Sequence, residues 1–116
     1  DTNTTGANNV ALGTSALGKN TTADDNTGIG RTALGVNETG AQNTAVGANS
    51  LDANTTADTN TAVGNNALGV NTTGSRNNAI GSTALDANLT GSAPNSSNNS
   101  FSVNMSFDDR ETSVPS

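Results

Sequence analysis

The sequence predicts an all-β protein, a parallel β-solenoid with 17-residue turns that is followed by a separate C-terminal β-strand. Three observations lead to this prediction. First, the unit NTAVGNNALGVNTTGSR at residues 60–76 begins again at Asn9, Asn26, Asn43 and Asn77, always with the same spacing. Second, the unit is too short for the two helices and the turn of a helical repeat. Third, it is rich in Thr, Asn and Gly, which disfavour helix interiors.

The composition leaves no room for an ordinary globular core. Only 30% of the 116 residues are hydrophobic, and two phenylalanines are the only aromatic residues. Such a composition is typical of disorder, but a constant repeat period favours a solenoid in which each turn packs on its neighbours. Residues 1–93 therefore hold five full repeats and a leading half repeat, and they form the predicted solenoid domain.

Repeat positions are counted from Asn60 as position one, and the set of residues at one position is called a column. Two columns consist of large aliphatic residues. We predict that positions four and nine form the coil interior and that the glycine at position five allows a tight corner. The interior residues are Leu12, Leu17, Ile29, Leu34, Val46, Leu51, Val63, Leu68, Ile80 and Leu85. The corner residues are Gly13, Gly30, Gly47, Gly64 and Gly81.

Two short strands per turn are expected. The NTAVG stretch (60–64) suits one strand and ALGVN (67–71) a second, while residues 72–76 return the chain. Successive turns are expected about 4.8 Å apart. Because two aliphatic residues per turn make a thin interior, we expect the chain to associate with itself, either side by side or end to end.

Asparagine occupies positions one and twelve in every turn, and stacked amides can hydrogen-bond from turn to turn. The alternative for position twelve is N-glycosylation, because each of these residues begins an Asn-x-Thr sequence. The six candidate sites are Asn3, Asn20, Asn37, Asn54, Asn71 and Asn88. They are completed by a threonine column at position fourteen, namely Thr5, Thr22, Thr39, Thr56, Thr73 and Thr90.

The repeat resembles the head repeats of trimeric autotransporter adhesins and is similar to repeats of phage tail fibres and bacterial surface fibres. The similarity covers residues 1–93, and in one turn it rests on Asn60, Ala62, Val63, Gly64, Ala67 and Leu68. This resemblance implies a left-handed β-roll, usually trimeric, that is displayed outside the cell or virion and serves adhesion. The constant period of seventeen, longer than is common in adhesin heads, favours the fibre-like relatives.

The last residues leave the repeat. Residues 94–100 are expected to form a polar linker, residues 101–107 an amphipathic strand and residues 108–116 a polar tail. The apolar residues of the predicted strand are Phe101, Val103, Met105 and Phe107. It is either a cap over the last turn or a donor strand that links one subunit to the next.

No catalytic, cofactor or metal site is predicted. The chain has no Cys or His, and its two acidic clusters, at residues 24–25 and 108–111, do not match a calcium loop. A net charge of −6 with four cations argues against nucleic acid, and no apolar run is long enough for a membrane span. The predicted function is that of a non-enzymatic, extracellular fibre or adhesin segment, with itself and a host-surface receptor or glycan as partners. Ice binding by the threonine column is an alternative.

Overall fold

The computed structural model describes residues 3–91 together with the backbone of residues 100–103. Six short strands form one parallel sheet in sequence order, and the described residues contain no helix. The strands are β1 (Val10–Leu12), β2 (Thr27–Ile29), β3 (Thr44–Val46), β4 (Thr61–Val63), β5 (Asn77–Ile80) and β6 (Ser100–Val103). The predicted parallel β-solenoid with 17-residue turns is confirmed. We number its turns one to five from Asn9, Asn26, Asn43, Asn60 and Asn77.

The strands stack in strict register. Ala45 pairs with Ala62 and Val46 with Val63, so each residue lies against its equivalent one turn later. Side chains alternate between the two faces of a strand. Positions one and three therefore face the coil interior, where Ala45, Ala62 and Ala79 are fully buried, and positions two and four face outward.

The prediction of a second strand at ALGVN (67–71) is wrong. In every complete turn this stretch forms consecutive β-turns, seen in turn one as bonds from the amides of Ala16, Gly18 and Asn20 to the carbonyls three residues earlier. The leucine at position nine has a left-handed backbone, with φ of 52° at Leu34 and 48° at Leu51. Left-handed backbone is uncommon for leucine and costs about 1–2 kcal/mol. Here it directs the side chain inward, and burial of that side chain offsets the strain.

The interior is built from alanines and the leucines of position nine. Leu34, Leu51 and Leu68 are fully buried, Leu17 is 6% exposed, and Leu85 packs against the same cluster. The prediction that position four also lies inside is wrong. Leu12 and Ile80 are 66% and 41% exposed, and the other three, Ile29, Val46 and Val63, are half-buried. The physical reason is strand alternation, because position three already points inward.

Glycine at position five forms the corner where the strand ends. The five φ angles lie between 124° and 134°, a region that only glycine adopts readily. A Cβ on Gly47 would also lie 2.6 Å from the carbonyl oxygen of Gly64 in the next turn. The corner therefore depends on glycine for two reasons, its backbone angle and the close approach of neighbouring turns.

After turn five the chain returns to the sheet through a longer connection. Strand β6 pairs in parallel with β5, with Ser100 opposite Asn77 and Val103 opposite Ile80. The backbone of β6 thus continues the register of its own coil, and Ser100 belongs to the strand rather than to the predicted linker. The rest of that linker, Met105 and Phe107 of the predicted strand, and the polar tail lie outside the described residues.

Candidate assembly surfaces

The asparagines of position twelve form a continuous amide ladder inside the coil. Asn54 donates from Nδ2 to Oδ1 of Asn37 at 2.9 Å, and Asn37 donates to Asn20 at 3.1 Å. Each Nδ2 also donates to the carbonyl three residues later, as Asn37 does to Gly40 at 2.8 Å. The ladder holds neighbouring turns together and closes the bend within each turn.

The asparagines of position one form a second buried ladder. The amide N–H of Asn43 donates to Oδ1 of Asn26 at 2.9 Å, and Nδ2 of Asn43 donates to the carbonyl of Ala57 at 2.8 Å. The exception is Asn60, whose buried Nδ2 has no partner. Together the two ladders supply turn-to-turn bonds where a larger protein would have a hydrophobic core.

The position-twelve ladder determines which candidate glycosylation sites are accessible. Asn20, Asn37, Asn54 and Asn71 are at most 1% exposed, and their Nδ2 atoms are used in the ladder. Because a glycan is attached at Nδ2, the prediction of glycosylation is wrong for these four sites in the folded chain. Asn88 is half-buried and also in the ladder, and Asn3 is exposed.

Positions two and four form an outer surface of the sheet that we call the sheet face. Position two contributes Val10, Thr27, Thr44, Thr61 and Asn78, and position four contributes Leu12, Ile29, Val46, Val63 and Ile80. Every charged residue between residues 3 and 91 lies at positions six to seventeen, so the sheet face is uncharged. A flat, uncharged surface of aliphatic and threonine side chains is the kind that proteins cover in an interface.

The threonines of position fourteen lie on a different surface and are all exposed. They follow one another at the spacing of the stacked turns, about 4.8 Å. The result is a single regular line of hydroxyl and methyl groups along the coil.

A third surface is a groove along the coil. Its floor is position ten, and its walls are positions seven and eleven. One cavity of about 310 Å³ is lined by Asp52, Asn66, Gly69, Val70 and Asp86. A second, of about 380 Å³, extends from Asp52 to Lys19 and is lined by Ser15, Gly18, Lys19, Thr32, Gly35, Val36 and Asp52. Asp52 lies where the two cavities meet.

The groove brings together two carboxylates that the sequence separates by two turns. Asp52 and Asp86 border the same cavity, and Gly69 occupies the floor between them. Burial raises the pKa of Asp52 above its ordinary value, while a hydrogen bond from its own backbone and the nearby Arg31 guanidinium act in the opposite direction. Sequence reasoning missed this groove. The signal was that position ten holds only Gly and Asp, with Asp in turns three and five.

No metal centre or membrane-spanning helix is found in the part of the chain that the structure describes. Residues 3–91 and 100–103 contain no group of three or more His, Cys, Asp or Glu side chains that could hold a metal ion. The same residues include no helix long and apolar enough to cross a membrane. No protein family model, curated protein or solved structure matches the chain.

Proposed function

We propose that this chain is a non-enzymatic, extracellular structural or adhesive protein, a self-associating solenoid segment of a surface fibre, filament or adhesin. The observation that carries the proposal is the sheet face. It presents two aligned columns of side chains without charge, and it includes Leu12, one of the most exposed large hydrophobic residues of the described chain. A second copy would present the same columns at the same spacing, about 4.8 Å.

The thin interior also favours self-association. Each turn buries one leucine and a few alanines, so little apolar area is removed from water within one chain. Covering the sheet face would add the valine and isoleucine side chains of position four to the buried area. From the resemblance to adhesin and tail-fibre repeats we expect either a trimer or an end-to-end filament, displayed on the surface of a cell or virion.

The first test is the oligomeric state in solution, measured by sedimentation velocity for the full chain. Val46→Lys places a charge in the centre of the sheet face, so we expect this variant to dissociate. Thr56→Lys adds the same charge to the exposed threonine column and should leave the oligomer intact. A wild-type chain that stays monomeric at high concentration, or equal association of both variants, would contradict the proposal.

Electron microscopy with and without residues 94–116 then tests the role of the tail. Long fibres that disappear on truncation would identify the tail as a donor strand between subunits. Short rods in both samples would identify it as a cap and the chain as one segment of a longer adhesin or of a phage tail-fibre shaft that takes part in host attachment.

Ice binding is a second candidate, favoured by the exposure of every threonine at position fourteen. A regular line of hydroxyl and methyl groups at fixed spacing is a surface on which ordered water can form. Thermal hysteresis of the wild-type chain should then fall when Thr56 and Thr73 are changed to lysine. Absent hysteresis in the wild-type chain would remove this candidate and leave the fibre proposal unaffected.

A further inference from the structure

We propose that the groove is a second contact site between copies of this chain, in which two coils lie antiparallel and Lys19 of each copy enters the acidic cavity of the other. The cavity is the one over Gly69, between Asp52 and Asp86. The contact lies on a different surface from the sheet face. It therefore goes beyond the proposed function and does not depend on it.

The acidic half of the contact is a cavity with two carboxylates and no cation among its lining residues. Asn66 also lines this cavity and adds a polar residue to its wall. Burial already opposes the charge on Asp52, so a positive group in the cavity would stabilise its ionised form. An ammonium group fits best, because it is compact and can donate three hydrogen bonds to surrounding oxygens.

The basic half of the contact is the only lysine of the chain. Lys19 is exposed and lies at position eleven, on the wall of the same groove. The other four turns carry Val or Ala at this position, namely Val36, Ala53, Val70 and Ala87. The groove surface thus has its positive group in turn one and its acidic cavity in turns three to five, an asymmetry that suits an antiparallel partner.

A two-fold axis between the copies, perpendicular to the coils, places each column opposite itself in reversed order. If the axis passes between turns two and three, Lys19 of turn one faces Gly69 and Val70 of turn four. In the same register Asp52 faces Gly35, and Val36 faces Ala53. Asp52 then lies opposite a hollow rather than opposite another carboxylate, so the Asp52 carboxylates of the two copies are kept apart.

The glycines at position ten support this fit. Gly18, Gly35 and Gly69 are absent from the positive-φ residues, and turns three and five carry Asp52 and Asp86 at the same position. The backbone therefore accepts a side chain there. Glycine in turns one, two and four is not required by the coil, and its effect is to leave open the floor that a second copy would fill.

Zero-length carbodiimide cross-linking tests the contact directly, because it joins an amine to a carboxylate only when the two touch. Lys19 and Asp86 of one chain lie four turns apart, about 19 Å at the usual strand spacing, so a bond between them must join two chains. We expect a cross-linked dimer in which peptide mass spectrometry finds Lys19 bonded to Asp86. Two other arrangements would not give this bond. In parallel copies, Lys19 lies against turn one of the partner. In head-to-tail stacking, β6 and the leading half turn lie between Lys19 and Asp86.

Lys19→Arg is the matched control, since it keeps the charge but removes the reactive amine. It should still associate, because the charge is kept, and it should lose the cross-link. Lys19→Asp should weaken the contact about five- to thirtyfold because two symmetric pairs are lost, and adding Asp86→Lys should restore it. Oligomers without the Lys19–Asp86 bond, or a double variant that does not recover, would overturn the contact and leave the sheet-face proposal standing. A salt-sensitive, cross-linked dimer that persists in Val46→Lys would establish the groove contact independently.

Discussion

Asn54 donates a side-chain hydrogen bond to Asn37, one complete turn earlier in the chain, over 2.9 Å. The same Nδ2 donates to the carbonyl of Ala57 at 3.1 Å, and Oδ1 of Asn54 accepts from Asn71 in the following turn at 3.3 Å. One buried side chain thus connects three turns. Because hydrogen bonds in a dry interior are costly to break, such ladders can stabilise a coil whose apolar interior is small.

Asn54→Ala should destabilise the chain by about 2–3 kcal/mol, because it leaves Oδ1 of Asn37 buried without its donor and opens a small cavity. Chemical unfolding followed by circular dichroism measures this change. Thr56→Ala, two residues later on the exposed threonine column, is the control and should change the stability by less than about 0.5 kcal/mol. Equal effects of the two substitutions would show that the ladder contributes little.

Leu51→Ala and Leu12→Ala test the corrected interior. Leu51 is fully buried, so its truncation should cost about 2–5 kcal/mol, whereas Leu12 is 66% exposed and its truncation should have little effect. Leu51→Asp should unfold the middle of the coil, since it buries a charge without a partner. A large loss of stability at Leu12 in a monomeric sample would show that position four contributes to the interior after all.

The period and the fold class were predictable because seventeen residues recur without insertion and exclude a helical repeat. The left-handed backbone of the leucines, which directs their side chains inward, was not predictable from the sequence. Leu51 has a φ of 48°, a conformation that leucine rarely adopts alone, so strand propensity gave the wrong structure for this stretch. Val46 was placed inside because it and Leu51 are the large aliphatic residues of their turn, whereas strand alternation directs it outward.

The candidate surfaces were partly predictable. The asparagine columns follow from the repeat alone, and so does a structural role for them, but their burial, which closes the internal glycosylation sites, needs the coil geometry. The groove has no motif. It arises because Asp52, Gly69 and Asp86 share one repeat position, which becomes a continuous surface only when the turns stack.

Gly47→Ala should destabilise the coil by at least about 2 kcal/mol, because its φ is 132° and the added Cβ would meet the Gly64 carbonyl. Gly35→Ala is the matched control. Its Cβ would lie 3.0 Å from the carbonyl of Thr32, a contact that the equivalent residue Asp52 already accommodates in turn three. Thermal unfolding should separate the two variants clearly. Similar melting temperatures would show that the corner tolerates a side chain.

Asp52→Asn should stabilise the chain at neutral pH. Burial raises the pKa of Asp52 above its ordinary value of 3.8, so the folded chain binds this proton more tightly than the unfolded chain. The Asp52 contribution to stability is therefore fully present below pH 3.8 and falls as the pH rises through the interval up to the raised pKa. Asparagine cannot ionise, so the stability of the variant should not fall over this pH interval. Near neutrality the variant should therefore unfold at a higher temperature than the wild type. Below the ordinary pKa of the carboxyl group, the two melting temperatures should converge.

Arg31→Gln provides the opposite change at the same site. The guanidinium of Arg31 lowers the pKa of Asp52, so its removal should raise that pKa further and enlarge the loss of stability on going to neutral pH. Melting temperatures measured from about pH 3 to about pH 7, in dilute protein to suppress association, give all three curves. If Asp52→Asn follows the wild-type curve at every pH, or if Arg31→Gln flattens it, burial does not control the ionisation of Asp52. The double variant Arg31→Gln/Asp52→Asn is the control. Its melting temperature should match that of Asp52→Asn at every pH, because the effect of Arg31 should vanish once the carboxylate is gone.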